Sequence, residues 1–169
     1  MITAGVLVSV GLSLAACGTT PTAQNPAAAA PASASVAVPF TARTLGGAKV
    51  AVPASIPSVV YFFAIGCASC GPTAKVLADV QRSSPQKANY VAVDVASYEA
   101  GPDVEAFLAK YQASAMAYVI DTNAHLIDAY GVQNLGTAIV LDAAGRVVFR
   151  GVEPDAAQIR DAVAKAQAR

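Results

Sequence analysis

Two cysteines, Cys67 and Cys70, are separated by Ala68-Ser69 and followed by Gly71 and Pro72. An apolar run, Ser58-Val59-Val60-Tyr61-Phe62-Phe63-Ala64-Ile65, ends at Gly66 just before them. After them Val76, Leu77 and Val80 recur at helical spacing, with Pro72 suited to a first turn. The pair therefore sits where a buried strand turns into a helix. The unpaired N–H groups and the positive dipole end of a first turn both favour a thiolate. An ordinary thiol with a pKa of about 8.5 is only ~3% thiolate at neutral pH. Lowering it to ~7 makes it half thiolate for roughly 2 kcal/mol of differential stabilisation. Cys67, the earlier and more exposed position, is expected to be the nucleophile. Cys70, carried into the helix, is expected to be the resolving thiol. The alternatives are a structural pair or part of a metal site. Zinc takes four ligands, no second Cys pair exists, and His125 is the only histidine.

The chain has 169 residues, of which 55% are hydrophobic and 13% charged, with eleven basic residues balancing eleven acidic ones. A net charge of zero argues against nucleic acid as a partner. Nothing before Arg43 is charged. The apolar, small-residue run from Ile2 ends in Leu14-Ala15-Ala16-Cys17-Gly18, which resembles the bacterial lipobox, although no Lys or Arg follows Met1. That resemblance makes residues 1–17 a lipoprotein signal peptide with Cys17 as the lipidated residue. It places the protein outside the cytoplasm, on the outer face of a bacterial membrane. A signal peptide cleaved near Ala16 and a short retained anchor are the alternatives, and all three imply export. The third cysteine is then accounted for, and the remaining pair lies where disulfides persist. Residues 18–38 are rich in Pro, Ala, Ser and Thr, without charge or periodicity. They are expected to form a disordered tether spanning ~25 Å on average.

Residues 39–169 carry the domain. Phe40 to Leu45 and Lys49 to Val52 flank Gly46-Gly47 and predict a β-hairpin. Val59 to Ile65 reads as a strand buried on both faces. A helix is expected from about Pro72 to about Ser83, a second buried strand over Tyr90 to Val95, and a helix opened by Pro102. A short strand over Ala117 to Ile120 and a brief helix through Leu126 to Tyr130 follow. A hairpin joins Thr137–Leu141 to Arg146–Phe149, and a last helix runs from Pro154 to about Ala168. This order predicts an α/β fold with a central mixed sheet flanked by helices. The strand–helix–strand crossover puts the C-terminal ends of the first two core strands on one edge, with Cys67. Asp94, at the end of the second strand on that edge, is a candidate proton acceptor; the plainer expectation is a solvated strand-end carboxylate. Glu99 is a weaker candidate. His125 reads as a surface-turn residue, Tyr61-Phe62-Phe63 as core, and Arg43, Lys49, Arg146 and Arg150 as solvated strand faces.

The strand ending in Cys-x-x-Cys, the β-α-β unit, and Tyr130-Gly131-Val132-Gln133-Asn134-Leu135-Gly136-Thr137-Ala138-Ile139-Val140-Leu141-Asp142 followed by Gly145 resemble the thioredoxin superfamily. More narrowly, the chain is similar to TlpA/ResA-type membrane-tethered thiol-disulfide oxidoreductases, over roughly Phe40 to Gln167. The resemblance implies a thioredoxin-like fold and dithiol/disulfide exchange at Cys67 and Cys70, with no bound cofactor. It implies exported protein thiols and disulfides as substrates, a membrane redox partner to reset the pair, and a monomer. Apocytochrome thiols and general disulfide maintenance are the roles it brings.

The departures carry their own expectations. Gly136 stands where the family usually has a cis-proline that packs on the Cys pair and shapes substrate docking. A cis bond before a residue other than proline costs ~3 kcal/mol, so Leu135–Gly136 is expected to be trans. Backbone groups at Leu135 and Gly136 are the expected substrate-binding edge. Loss of the proline also favours metal binding, so a soft-metal carrier of the Cu(I) type is the alternative function. A redox-weak binding module is a further one. Gly66 stands in place of the family's Trp, and Tyr61 in place of a buried acid, so the Cys70 proton needs another acceptor.

Overall fold

The computed structural model describes residues 36–169. The lipobox with Cys17 and most of the 18–38 tether lie outside the described residues. The strand that leads to the cysteines is β3 (Ser58–Phe63), buried at every position. Its apolar residues on both faces demand a layer on each side. The hairpin comes before it as β1 (Phe40–Arg43) and β2 (Lys49–Val52). After it come α1 (Cys70–Ser83), β4 (Asn89–Asp94), α2 (Gly101–Lys110), β5 (Ala117–Ile120), α3 (His125–Ala129), β6 (Thr137–Leu141), β7 (Val147–Val152) and α4 (Ala156–Gln167).

The strands form one seven-stranded mixed sheet in the order β2-β1-β5-β4-β3-β6-β7. β3, β4 and β5 are parallel, with Phe63 opposite Asp94 and Asp94 opposite Ile120. β6 returns antiparallel to β3, setting Phe62 against Thr137. Alternation sorts the core into two layers. Val59, Tyr61, Phe63, Tyr90, Ala92, Ala138 and Val140 face α1, α2 and α4, where they meet Leu77, Leu108 and Ile159. Val60, Phe62, Val91, Val93, Ile139 and Leu141 face the other way, toward Leu126 of α3, Tyr130 and Ala37.

Three details differ from the sequence expectation. Residues 36–38, read as the end of the tether, are packed on the fold: Val36 bridges Arg146, Ala37 N–H donates to Gly145 O at 2.8 Å, and Tyr130 Oη donates to Val38 O at 3.0 Å. The first helix opens at Cys70 because Ser69 O accepts the Thr73 N–H at 3.2 Å; Pro72 sits inside the first turn, where its missing N–H has no partner to lose. The last helix opens at Ala156 because Asp155 caps it. Asp155 Oδ1 accepts the N–H groups of Ala157 at 2.8 Å and Gln158 at 2.9 Å, and Gln158 Oε1 accepts the Asp155 N–H at 3.0 Å. Arg146 and Arg150, read as solvated strand-face residues, are exposed and also have partners. Arg146 Nε pairs with Asp142 Oδ2 at 2.7 Å, and Arg150 donates to Tyr130 O at 2.6 Å.

α2 is fixed against the start of α1 by an aromatic stack. Phe63 and Phe107 lie 5.0 Å apart, and Phe107 and Tyr111 also 5.0 Å apart. The Tyr111 ring then lies flat on Gly71, so close that a Cβ at position 71 would fall within it. Replacing glycine by alanine in a helix ordinarily stabilises by about 1 kcal/mol. Here Gly71→Ala is expected to destabilise by about 1–3 kcal/mol in urea denaturation, as overpacking does. In a Tyr111→Ala background the same change should become neutral or stabilising.

Candidate active site

Cys67 and Cys70 form a disulfide with their Cα atoms 5.3 Å apart. The two sulfurs are not equivalent. Cys70, the first residue of α1, is fully buried in the layer of Tyr61, Phe63 and Leu77, whereas Cys67 is half-buried at its margin. Of the two sulfurs, that of Cys67 is therefore the more accessible. The loop is tied to the fold through its backbone: Cys67 N–H donates to Ala64 O at 3.1 Å and Cys70 N–H to Cys67 O at 3.2 Å.

Ser69 is a residue whose role the sequence left open. It occupies the N-cap of α1, yet its hydroxyl caps nothing. Its Oγ lies 3.7 Å from Cys67 Sγ instead. With the pair reduced, that hydroxyl is placed to donate to a Cys67 thiolate, adding to the helix N-terminus behind it. The only sequence signal was a small hydroxyl residue between the cysteines.

Tyr61 occupies the floor. Its hydroxyl donates to Cys70 O at 2.7 Å. Burial pushes the phenol well above its ordinary range, against an opposing hydrogen bond from Thr73 and with Glu153 adding to the rise. Tyr61 therefore remains a donor and takes no proton from Cys70.

Asp94 is not the solvated strand-end carboxylate of the plainer expectation: it is fully buried. It follows Tyr90 and Ala92 along β4 and pairs with Phe63, which puts it on the sheet face that carries Cys70. Oδ1 accepts the Ala96 N–H at 3.0 Å, while Oδ2 has no partner. Burial pushes its pKa up to about 7, the Ala96 bond opposing and the neighbouring Glu99 carboxylate adding. Glu99 in turn accepts the Ile65 N–H with both oxygens, each at 3.1 Å. Two carboxyl groups thus sit behind the arm that delivers Cys67, one of them poised to exchange a proton near neutrality.

The expected substrate edge divides into two residues with different fates. Leu135–Gly136 is trans, and Gly136 has φ +79°. Its N–H donates to Phe62 O and its carbonyl accepts from the Glu153 N–H, both at 2.9 Å, so Gly136 is bound into the sheet on both sides. Leu135 is half-buried, and its peptide N–H and C=O make no hydrogen bond among the described residues. Of the two, Leu135 offers the free backbone. His125 does not join the cysteines: it opens α3, whose Leu126 packs into the opposite layer. Among the described residues, no group of three or more His, Cys, Asp or Glu side chains is arranged to hold a metal ion.

Two outcomes follow from this geometry. Because Asp94 is raised from 3.8 to about 7, the fold prefers its neutral form. Its contribution is complete below about pH 4 and is lost as pH rises through about 7. Denaturation of the purified protein should show stability falling from pH 5 to pH 8, by up to about 3 kcal/mol from this group. Asp94→Asn should flatten that slope and be more stable than the parent at pH 8. Ser69→Ala should slow alkylation of reduced Cys67 at pH 6 by about threefold, through a smaller thiolate fraction; an unchanged rate would remove Ser69 from the site.

Comparison with known proteins agrees with this geometry. The family model described as Thioredoxin-like matches residues 57–147, a span that includes both cysteines, α1 and Gly136. A Streptomyces lividans protein named Mercury resistance operon ORF3 is 37% identical over 155 residues, covering 89% of this chain and 82% of that protein. Among solved structures, MTB dsbF matches with a TM-score of 0.63 at 25% identity, over 75% of this chain and 94% of that one. StoA from Bacillus subtilis shares the fold, with a TM-score of 0.64 at 19% identity over 75% of this chain and 97% of that one. With its Cys67–Cys70 pair at the head of α1 and its mixed sheet flanked by helices, the chain belongs to the thioredoxin-like family.

Proposed function

We propose that this protein is an extracytoplasmic thiol-disulfide oxidoreductase, held on the outer face of a bacterial membrane by a lipid on Cys17. The observation that carries the activity is the asymmetric pair: a half-exposed Cys67 ahead of a helix N-terminus, linked to a buried Cys70. The lipid anchor rests on the sequence alone, on the apolar run that ends at Cys17.

In the reducing direction, the Cys67 thiolate attacks one sulfur of a substrate disulfide. A Cys67–substrate bond forms, and the other substrate sulfur leaves as thiolate. Cys70 then loses its proton and attacks Cys67 Sγ. The Cys67–Cys70 bond forms, the second substrate sulfur leaves, and two electrons have passed to the substrate. Asp94 takes up the Cys70 proton, a role favoured by its burial on the same sheet face and a pKa of about 7. In the oxidising direction the steps reverse, beginning with a substrate thiolate attacking Cys67. An extended substrate segment pairs with the free backbone of Leu135. The substrates are exported protein thiols and disulfides, and a membrane redox partner resets the pair. The protein acts as a monomer.

A second reading is favoured by the name of the Streptomyces lividans relative, which refers to mercury resistance. Two thiolates in a Cys-x-x-Cys pair also bind soft cations such as Hg(II) or Cu(I). On that reading the reduced pair is a metal carrier, and its thiolates hold metal instead of exchanging with disulfides.

A redox titration separates the two. The purified protein is equilibrated across glutathione and dithiothreitol series, alkylated, and read by intact mass. The expected result is a reversible two-electron transition of Cys67 and Cys70. A midpoint near about −270 mV marks a reductant, and one near about −120 mV an oxidant. Cys67→Ser should abolish turnover. A pair that resists alkylation because it retains a bound soft metal, and that shows no reversible transition, favours the carrier.

A further inference from the structure

Glu153 lies in the turn between β7 and α4. Its backbone has φ +47°, a left-handed conformation uncommon for any residue with a side chain other than Asn or Asp. Its N–H donates to Gly136 O at 2.9 Å, and the capping box of Asp155 fixes the chain just beyond it. From this position the side chain folds over Gly136. A Cβ at residue 136 would stand 3.1 Å from Glu153 Cγ and 3.7 Å from its Oε1. Position 136 thus has no side chain, and the space is filled by the glutamate from the neighbouring turn.

That space lies on the sheet face that carries Cys70. Gly136 continues the alternation of Ala138 and Val140, which face the layer of Cys70 and Tyr61. The carboxylate acts electrostatically on Tyr61, whose hydroxyl holds Cys70 O at 2.7 Å. Glu153 itself is exposed. Among the described residues its carboxylate forms no ion pair, the pairs present being Lys75–Asp79, Arg82–Asp79 and Arg146–Asp142. It also accepts no hydrogen bond there. An unpaired anion therefore sits next to the open backbone of Leu135, against the residue that leads into the strand paired with β3.

We propose that Glu153 is a specificity-determining residue, its carboxylate favouring substrates that carry positive charge beside the reacting sulfur, such as a basic residue flanking a cysteine. This inference rests on the thiol-exchange reading above. At a few ångströms in a partly solvated site, one charge changes the rate by several-fold, and salt screens the effect.

The test uses the purified, reduced protein and three small disulfides: cystamine as the cation, 2-hydroxyethyl disulfide as the neutral probe, and 3,3′-dithiodipropionate as the anion. Each takes two electrons from the pair, leaving the Cys67–Cys70 disulfide and two small thiols. Rates on the charged probes are divided by the same variant's rate on the neutral one. This removes general effects of a substitution on folding or on the thiol. Glu153→Gln is expected to lower the cation-to-anion rate ratio by roughly three- to tenfold at low salt, and added salt should move the parent toward the variant. Glu153→Gly, which adopts a positive φ freely, should give the same loss. If both variants keep the parent ratio while all three probes react, the glutamate only fills space and the inference is overturned. If none of the disulfides oxidises the pair, the thiol-exchange reading falls first, and this inference with it.

Discussion

The site depends on the seating of the first turn of α1 on β3. Cys70 has no exposed surface, Tyr61 holds its carbonyl from beneath, and Tyr111 lies flat on Gly71 beside it. Each contact requires the others. The Tyr61 hydroxyl is buried and needs an acceptor; the carbonyl of a helix-start residue is in place only if the helix begins there. The tyrosine ring fits only over a residue without a Cβ. The consequence is chemical: one sulfur is shielded and the other stands at the margin, so a reagent reaches the pair from the Cys67 side.

Around that seat the acidic groups are layered by burial. Asp94 is enclosed, with one oxygen bound to Ala96 and the other without a partner. Glu99 is half-way out and carries the Ile65 N–H two residues ahead of Cys67. Glu153 is outermost and unpaired among the described residues. A protein with no net charge thus holds these three carboxylates in three solvent environments. Burial raises the proton affinity of the innermost one and leaves the outermost to act through its charge.

Gly136 and Glu153 also explain how the fold fills the space beside a residue without a side chain. A glycine at the start of β6 would leave a gap beside the core, and gaps weaken packing. Here the backbone of Gly136 is held on both sides by Phe62 and Glu153, and the glutamate side chain covers it. The edge remains part of the sheet, and the free hydrogen-bonding groups lie one residue earlier, at Leu135.

Local pattern alone determined the elements and the redox pair. The buried run before Cys67, the helical spacing after Cys70, the Gly-Gly and Ala-Ala-Gly turns and the strand–helix order are all short-range signals. They led to the mixed sheet and to the edge on which the cysteines lie. Helix starts were legible to within two residues, because the carbonyl of Ser69 and the carboxylate of Asp155 decide them by hydrogen bonds that composition does not encode. Tertiary structure decided everything that depends on which distant side chains meet. It buried Asp94, which the sequence could only place at a strand end. It closed Gly136 into the sheet while leaving Leu135 open, and set the helix that His125 opens against the opposite layer through Leu126. It also turned the Ser69 hydroxyl toward sulfur and brought Glu153 over Gly136 from a turn 17 positions away in the chain. Proton affinity and substrate access are set by desolvation and by neighbouring charge, and both come from contacts between residues remote in sequence.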